Sequence, residues 1–366
     1  MAPCRVVMLV KLLKSGTLGK MMKESSFNMK ESTDSRQCLI LTAGGLHREQ
    51  VFFRAAGRRL AGEVIRPLRY NEGDGKEDKH PRLPRGTGEI GEACMGRRKG
   101  VDQEEMEAEE KTEPNDHVLA SGWAGGSNQG RPWLVFLHEG LGSVGQWRDF
   151  PAAICGETGL PGLVYDRWGY GNSEACEEKG NGGYLHQEAR ESLPQVLKHF
   201  GVDRAIFIGH SDGGSIALIF GAMSPERTAG IITEAAHVFV EEVTLAGIRT
   251  AVTAYEETDL PARLARYHGD RTDQVFRRWS ETWLAPAFRE WNIEELLPRI
   301  SCPVLAIQGE EDPYGTPDQV QSIVRRVSGS VEGFLIPRCG HIPHHQARDE
   351  VAAAMKRFVN NIIFIH

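Results

Sequence analysis

The chain has 366 residues, with 40% hydrophobic and 25% charged side chains and a formal net charge of −7. That balance is ordinary for a globular protein with a sizeable core, and it excludes a basic nucleic-acid-binding footprint. No apolar run approaches the ~20 residues of a membrane span. The cysteines at 4, 38, 94, 155, 176, 302 and 339 are scattered without Cys-x-x-Cys spacing, which points to a reducing, cytoplasmic setting.

Residues 1–50 are unlike the rest. A short apolar run at 6–10, continued by Leu12 and Leu13, is interspersed with and followed by Lys11, Lys14, Lys20, Lys23 and Lys30. It lacks the small-residue cleavage site of a signal peptide. Its lysines, with Glu24 and Glu31, differ from the Arg-rich, acid-poor composition of an organelle transit peptide. A poorly ordered extension is expected, with an organelle address as the alternative. Val51-Phe52-Phe53-Arg54 and Leu60-Ala61-Gly62-Glu63-Val64 read as a hairpin turning at Gly57. Residues 67–131 then bring Gly, Glu, Lys and Arg, with an acidic cluster at Glu104, Glu105, Glu107, Glu109 and Glu110. Such a composition buries too little apolar surface to offset chain ordering, so a disordered insertion is expected.

Trp133-Leu134-Val135-Phe136-Leu137 is an apolar strand that runs into His138-Glu139-Gly140-Leu141-Gly142-Ser143, with Trp147 shortly after. A phosphate cradle would need a Gly-Lys-Ser/Thr ending, which does not follow. The strand at 163–165 leads to Asp166-Arg167-Trp168-Gly169-Tyr170-Gly171-Asn172-Ser173, whose glycines let the backbone double back and whose Asp–Arg pair braces the loop.

The most informative stretch comes next. Ala205-Ile206-Phe207-Ile208 is a strand, Gly209-His210-Ser211-Asp212-Gly213 a sharp turn, and Ile216, Ala217, Leu218 and Phe220 belong to a helix. A serine forced into such a turn needs small residues two positions to either side, and the turn holds its hydroxyl clear of the sheet. The helix N-terminus beneath it supplies partial positive charge and free N–H groups where an oxyanion would form. Ser211 is therefore the candidate nucleophile.

After a strand at 230–233, residues 237–298 are helical, broken at 258–261, at Gly269-Asp270 and at Pro286. Val275, Phe276, Trp279 and Trp283 share one face at helical spacing. That face is expected to be the underside of a cap over the serine, with one or two aromatics reaching substrate.

A nucleophilic serine needs a base, and the base an orienting acid. The strand Pro303-Val304-Leu305-Ala306-Ile307 ends at a loop carrying Asp312, with Glu310, Glu311 and Glu234 as competing acids. A short strand at 334–337 leads to Cys339-Gly340-His341 ahead of the last helix, about 351–363. His341 is the candidate base, with His344 and His345 as rivals; these three could alternatively hold a metal. Pro343 separates His341 from the helix, and no acidic or cysteine cluster accompanies the trio.

From about Val51 onward, omitting the insertion, these motifs resemble the α/β-hydrolase superfamily: the His-x-Gly-x-Gly-Ser loop, the Asp-Arg-x-Gly-x-Gly-x-Ser loop, the Gly-His-Ser-Asp-Gly-Gly elbow, and the Asp312 and His341 loops in the order Ser, Asp, His. Ser211-Asp212-Gly213-Gly214, Gly247-Ile248-Arg249 and the Trp279–Trp283 helix are similar to the valacyclovir hydrolase (biphenyl hydrolase-like) branch. The resemblance implies a mostly parallel doubly wound sheet with a helical cap. It also implies an oxyanion hole made by the N–H groups of Gly140 (Leu141 the neighbouring alternative) and Asp212. In that branch the acid after the nucleophile helps bind a substrate α-amino group. This chain departs from many members in carrying Glu139 in place of Gly.

The expected activity is hydrolysis of a small-molecule carboxylic ester through an acyl-enzyme, with Ser211, Asp312 and His341 catalytic and no metal or organic cofactor. Glu139, Leu141, Trp147, Trp279 and Trp283 are the expected substrate contacts. Two acids near the nucleophile, Glu139 and Asp212, would favour a positively charged substrate such as an amino-acid ester. The alternative is that Asp212 bonds its own helix and Glu139 pairs with an arginine such as Arg167, because an unpaired buried acid is costly. Carbon–carbon bond hydrolysis, a lyase or peptidase reaction, or a non-catalytic binding role are the competing functions. The oligomeric state is not encoded in these patterns.

Overall fold

The computed structural model describes residues 40–43, 45–67, 130–177 and 182–364. Residues 1–39 of the expected N-terminal extension (1–50), and the expected disordered insertion (67–131) apart from its ends, lie outside the described residues.

Among the described residues a nine-stranded sheet forms the centre, in the order β1-β2-β3-β5-β4-β6-β7-β8-β9. Its strands are β1 (Ile40–Ala43), β2 (Leu46–Ala55), β3 (Arg58–Pro67), β4 (Trp133–Leu137), β5 (Gly162–Asp166), β6 (Ala205–His210), β7 (Thr228–Glu234), β8 (Val304–Gly309) and β9 (Val331–Ile336). The hairpin expected at 51–64 is present and longer. It turns at Ala56 and Gly57, both with positive φ (52° and 72°), the backbone that two-residue hairpin turns favour. The sheet begins at Ile40, which moves the expected boundary at residue 51 toward the N-terminus. The polar stretch Leu46-His47-Arg48-Glu49-Gln50 is strand because its backbone pairs with β3, from Leu46 opposite Pro67 to Gln50 opposite Glu63. A hydrogen bond from Arg48 Nη2 to Glu63 (3.0 Å) reinforces that pairing.

From β5 to β9 every neighbouring pair is parallel. β5, β6, β7 and β8 are buried along their whole length. This is why their central residues read as short apolar runs without alternation, since helices cover both faces of a parallel sheet. On one face, Leu134, Phe136, Ile206, Ile208, Leu305 and Ile307 pack against α1 (Phe150–Thr158) through Phe150 and Ile154. The C-terminal helix (Arg348–Phe364) joins them through Val351, Met355 and Val359. Phe207 points the other way, as strand alternation requires. It meets Phe220 at 4.8 Å between ring centroids, which sets the helix Asp212–Met223 on that face.

Between β7 and β8 the chain forms the expected cap helices, Glu242–Glu257, Leu260–His268 and Thr272–Leu284, with breaks where the sequence places them. Ala251, Leu264 and Phe276 form their core, and Leu141, Tyr255 and Trp279 pack against it. The register also fixes which rim of the sheet each connection uses. Ile65 near the end of β3 and Leu134 at the start of β4 both lie opposite Gly162, the first residue of β5. The chain therefore leaves β3 and re-enters β4 at the rim opposite the C-terminal ends of the parallel strands.

Candidate active site

Ser211 sits between β6 and the helix that follows, with φ 52° and ψ −116°. Such a conformation in a non-glycine residue costs about 1–3 kcal/mol and persists only where its surroundings enforce it. Here they do. A Cβ on Gly209 would lie 2.2 Å from the Gly213 carbonyl oxygen, and one on Gly213 would lie 1.9 Å from that of Leu137. The Ser211 N–H donates to the Glu234 carbonyl at 2.8 Å, pinning the elbow to β7.

His341 and Asp312 meet as the sequence order suggests. The Nδ1–H of His341 lies 2.9 Å from each carboxylate oxygen of Asp312. The two loops are laced together by Glu310 N–H to Ile336 carbonyl (3.0 Å) and Glu311 N–H to Cys339 carbonyl (2.9 Å). Asp312 also accepts from the Tyr314 N–H at 2.9 Å. Burial opposes its charge, but His341 and this N–H hold its carboxyl below the usual range. The His341 ring lies between Tyr314 (4.6 Å) and His210 (5.1 Å), the residue that precedes Ser211. Of the rival acids, Glu310 and Glu311 are exposed, and Glu234 takes both the N–H (2.8 Å) and Nδ1 (3.0 Å) of His344. His341 and His344 thus turn to different carboxylates.

The glycine-rich loop after β4 is braced from several sides. Asp166 accepts from Val144 N–H (2.6 Å) and Asn172 N–H (2.8 Å). Burial, outweighing these bonds, pushes its carboxyl up to about 6. The Arg167 N–H donates to His138 Nε2 at 3.0 Å, so His138 carries its hydrogen on Nδ1 and donates it to the Glu139 carbonyl at 2.8 Å. Gly171 N–H donates to His268 Nδ1 (3.1 Å), leaving Nε2–H to reach the Leu141 carbonyl (2.9 Å). Gly140 is wedged between cap and elbow. A Cβ there would lie 2.4 Å from Trp279 Cδ1 and 3.2 Å from Asp212 Oδ2. Asp212 opens its helix, so its N–H has no acceptor within that helix.

The substrate contacts expected from sequence divide. Trp279 is half-buried over Gly140, and Leu141 packs against the cap core. Trp147 does not line the site: it is 2% exposed, stacked on His344 at 4.6 Å and edge-on to Phe136. Trp283 is likewise buried, against Phe288 and Trp291, and its Nε1–H donates to the Tyr184 hydroxyl at 2.9 Å. An apolar stripe has the same spacing whether it packs or binds. Glu139 also differs from expectation. Its carboxylate turns to His210 (Oε2 to Nδ1 3.5 Å), while Arg167 takes its carbonyl at 2.8 Å.

Asp212 instead receives the Tyr184 hydroxyl (2.7 Å) and the Arg167 guanidinium (3.5 Å) on Oδ2. Its Oδ1 is buried with no hydrogen-bond partner among the described residues. Tyr184 and Tyr314 carried no motif in the sequence, and nothing in the spacing flags them; His210 stood inside the elbow motif, but nothing there pointed to its partners.

A family model described as the alpha/beta hydrolase family matches residues 134–354. Serine hydrolase BPHL of Homo sapiens is 28% identical over 198 residues, 51% of this chain and 65% of that protein, just under two thirds of its length. A proline iminopeptidase of Saccharolobus solfataricus is 23% identical over 277 residues, 65% of this chain and 86% of the relative. Among solved structures, a 2-hydroxy-6-oxo-6-phenylhexa-2,4-dienoate hydrolase from Rhodococcus superposes with a TM-score of 0.59 at 14% identity, covering 88% of this chain and all of that one; it speaks to the fold. No helix among the described residues is long and apolar enough to cross a membrane.

Proposed function

The chain belongs to the alpha/beta hydrolase family, and from that premise we propose that it is a serine hydrolase cleaving small carboxylic esters whose acyl part carries an amino group. Ser211 Oγ attacks the carbonyl, His341 Nε2 takes its proton, and Asp312 holds the His341 Nδ1–H. The N–H groups of Gly140 and Asp212 receive the oxyanion. His341 returns the proton to the departing alcohol, and water then releases the acyl group from Ser211 by the same steps in reverse order. Each oxyanion donor contributes about 10²–10³ in rate.

The observation that carries this reading is His341, bonded at 2.9 Å to both Asp312 oxygens with its ring beside the Ser211 elbow. The preference for an amine rests on Asp212. A buried carboxylate oxygen without a partner is costly, and a substrate ammonium would supply the missing hydrogen bond. The same carboxylate would suit the free N-terminus of a peptide. The similarity to a proline iminopeptidase makes removal of an N-terminal residue the second reading.

A fluorophosphonate probe tests the nucleophile: labelling of wild-type protein and none of Ser211→Ala is expected, and equal labelling overturns the assignment. Hydrolysis of an aminoacyl ester beside its uncharged acyl analogue tests the substrate class, and equal rates defeat it. An aminoacyl amide in the same assay separates the esterase from the peptidase.

A further inference from the structure

His210 is a buried titratable group that this reaction does not use. It is the last residue of β6, 1% exposed, and it touches both loops that flank the nucleophile. Its Nε2 lies 2.7 Å from the main-chain carbonyl of His341. A carbonyl oxygen only accepts, so that nitrogen carries a hydrogen. Its Nδ1 faces Glu139 Oε2 at 3.5 Å. A lone pair on the buried Nδ1 would be held against the part-buried Glu139 carboxylate, whereas a second hydrogen there turns repulsion into attraction.

We propose that His210 is a positioning residue: a doubly protonated imidazolium that ties the oxyanion loop, through Glu139, to the main chain of His341 and so holds the base against Ser211. This rests on the reading of Ser211 and His341 as the reacting pair. The groups facing His210 are Glu139 from the loop after β4, Glu234 from the end of β7, His341 from its loop, and His344 and His345 from the turn Pro343–Gln346. His344 is engaged by Glu234, and burial takes His345 down to about 4, so it is neutral near pH 7. Burial also works against a charge on His210, yet Glu139 and Glu234 raise its pKa above the ordinary value. Glu139 is correspondingly lowered, burial being outweighed by His210.

The test is kcat and KM for an ester substrate from about pH 6 to about pH 10 on the full chain, for wild type, His210→Gln, His210→Phe and Glu139→Gln. Wild-type kcat should fall on the alkaline side as the second hydrogen leaves. His210→Gln keeps a donor that cannot titrate, so it should hold kcat within about fivefold and lose the alkaline limb. His210→Phe should lower kcat about 10–100-fold with KM changed less than about threefold. Glu139→Gln should move the alkaline limb to lower pH by about one unit. Should His210→Phe fail to fold, the two glutamine variants decide. An alkaline limb that persists in His210→Gln, with fluorophosphonate labelling of Ser211 intact, overturns this proposal alone. Absence of labelling in wild-type protein overturns the parent reading and this one with it.

Discussion

Trp279 lies across Gly140 so closely that a Cβ on the glycine would sit 2.4 Å from the indole Cδ1 and 2.5 Å from its Nε1. The cap and the loop proposed to hold the oxyanion are therefore in direct register. Gly140→Ala must push one of them aside and should lower kcat about 10–100-fold. Trp279→Ala added to Gly140→Ala should recover part of that loss. A double-mutant cycle on kcat with no coupling between the two would show that the loop tolerates the methyl group by itself.

Asp312→Asn should lower kcat by about 10³–10⁴, because the amide no longer holds the His341 tautomer that presents Nε2 to the serine. Glu310→Gln, on the same loop but exposed, should stay within about threefold. Parallel circular dichroism spectra on both proteins separate lost chemistry from lost fold.

Asp212→Asn should be selective. With its carboxylate gone, kcat/KM for an aminoacyl ester should fall about 10–100-fold, the worth of one charge-assisted hydrogen bond. The uncharged analogue should change less than about threefold. Equal losses on both substrates would mean that Asp212 serves the elbow and not the amine.

Glu234 supports the fold in a pH-dependent way. Burial would raise its carboxyl, but His344 and His210 win and hold it below the ordinary 4.5. A depressed carboxyl contributes stability above its unfolded pKa and loses it as pH falls through the folded value. Glu234→Gln should therefore lower Tm by about 4–8 °C near neutral pH, for a loss of about 2 kcal/mol in a domain of this size. The gap should narrow at about pH 3. Thermal melts of both proteins across that range check it, and a constant gap would contradict the ion pair.

Much of this arrangement could be read from the chain alone, for a physical reason. Ser211, Asp312 and His341 each follow an apolar strand and sit in short loops, so a parallel sheet delivers all three to one rim. The elbow glycines were legible because their absent side chains leave no other solution. Trp147 and Trp283 were not, since a buried aromatic in packing and one facing a ligand share the same periodicity; only Trp279 reached the site. Glu139 found His210 because folding brings the ends of β4 and β6 together, Leu137 opposite Gly209, and single-chain patterns carry no cross-strand partners. The first half of β2 was hidden for a similar reason. Its residues from 46 to 50 are mostly polar and become strand through backbone pairing with β3.

The register of β3 and β4 has a practical corollary. Both the exit at Pro67 and the return at Trp133 open on the basal edge, where Ile65 and Leu134 flank Gly162. Ser211, Asp312 and His341 all hang from the apical one. Closing a longer or shorter span between those ends costs only logarithmically in length. A fluorescent reporter or affinity module spliced in at this junction would therefore join the sheet at the edge away from those three residues.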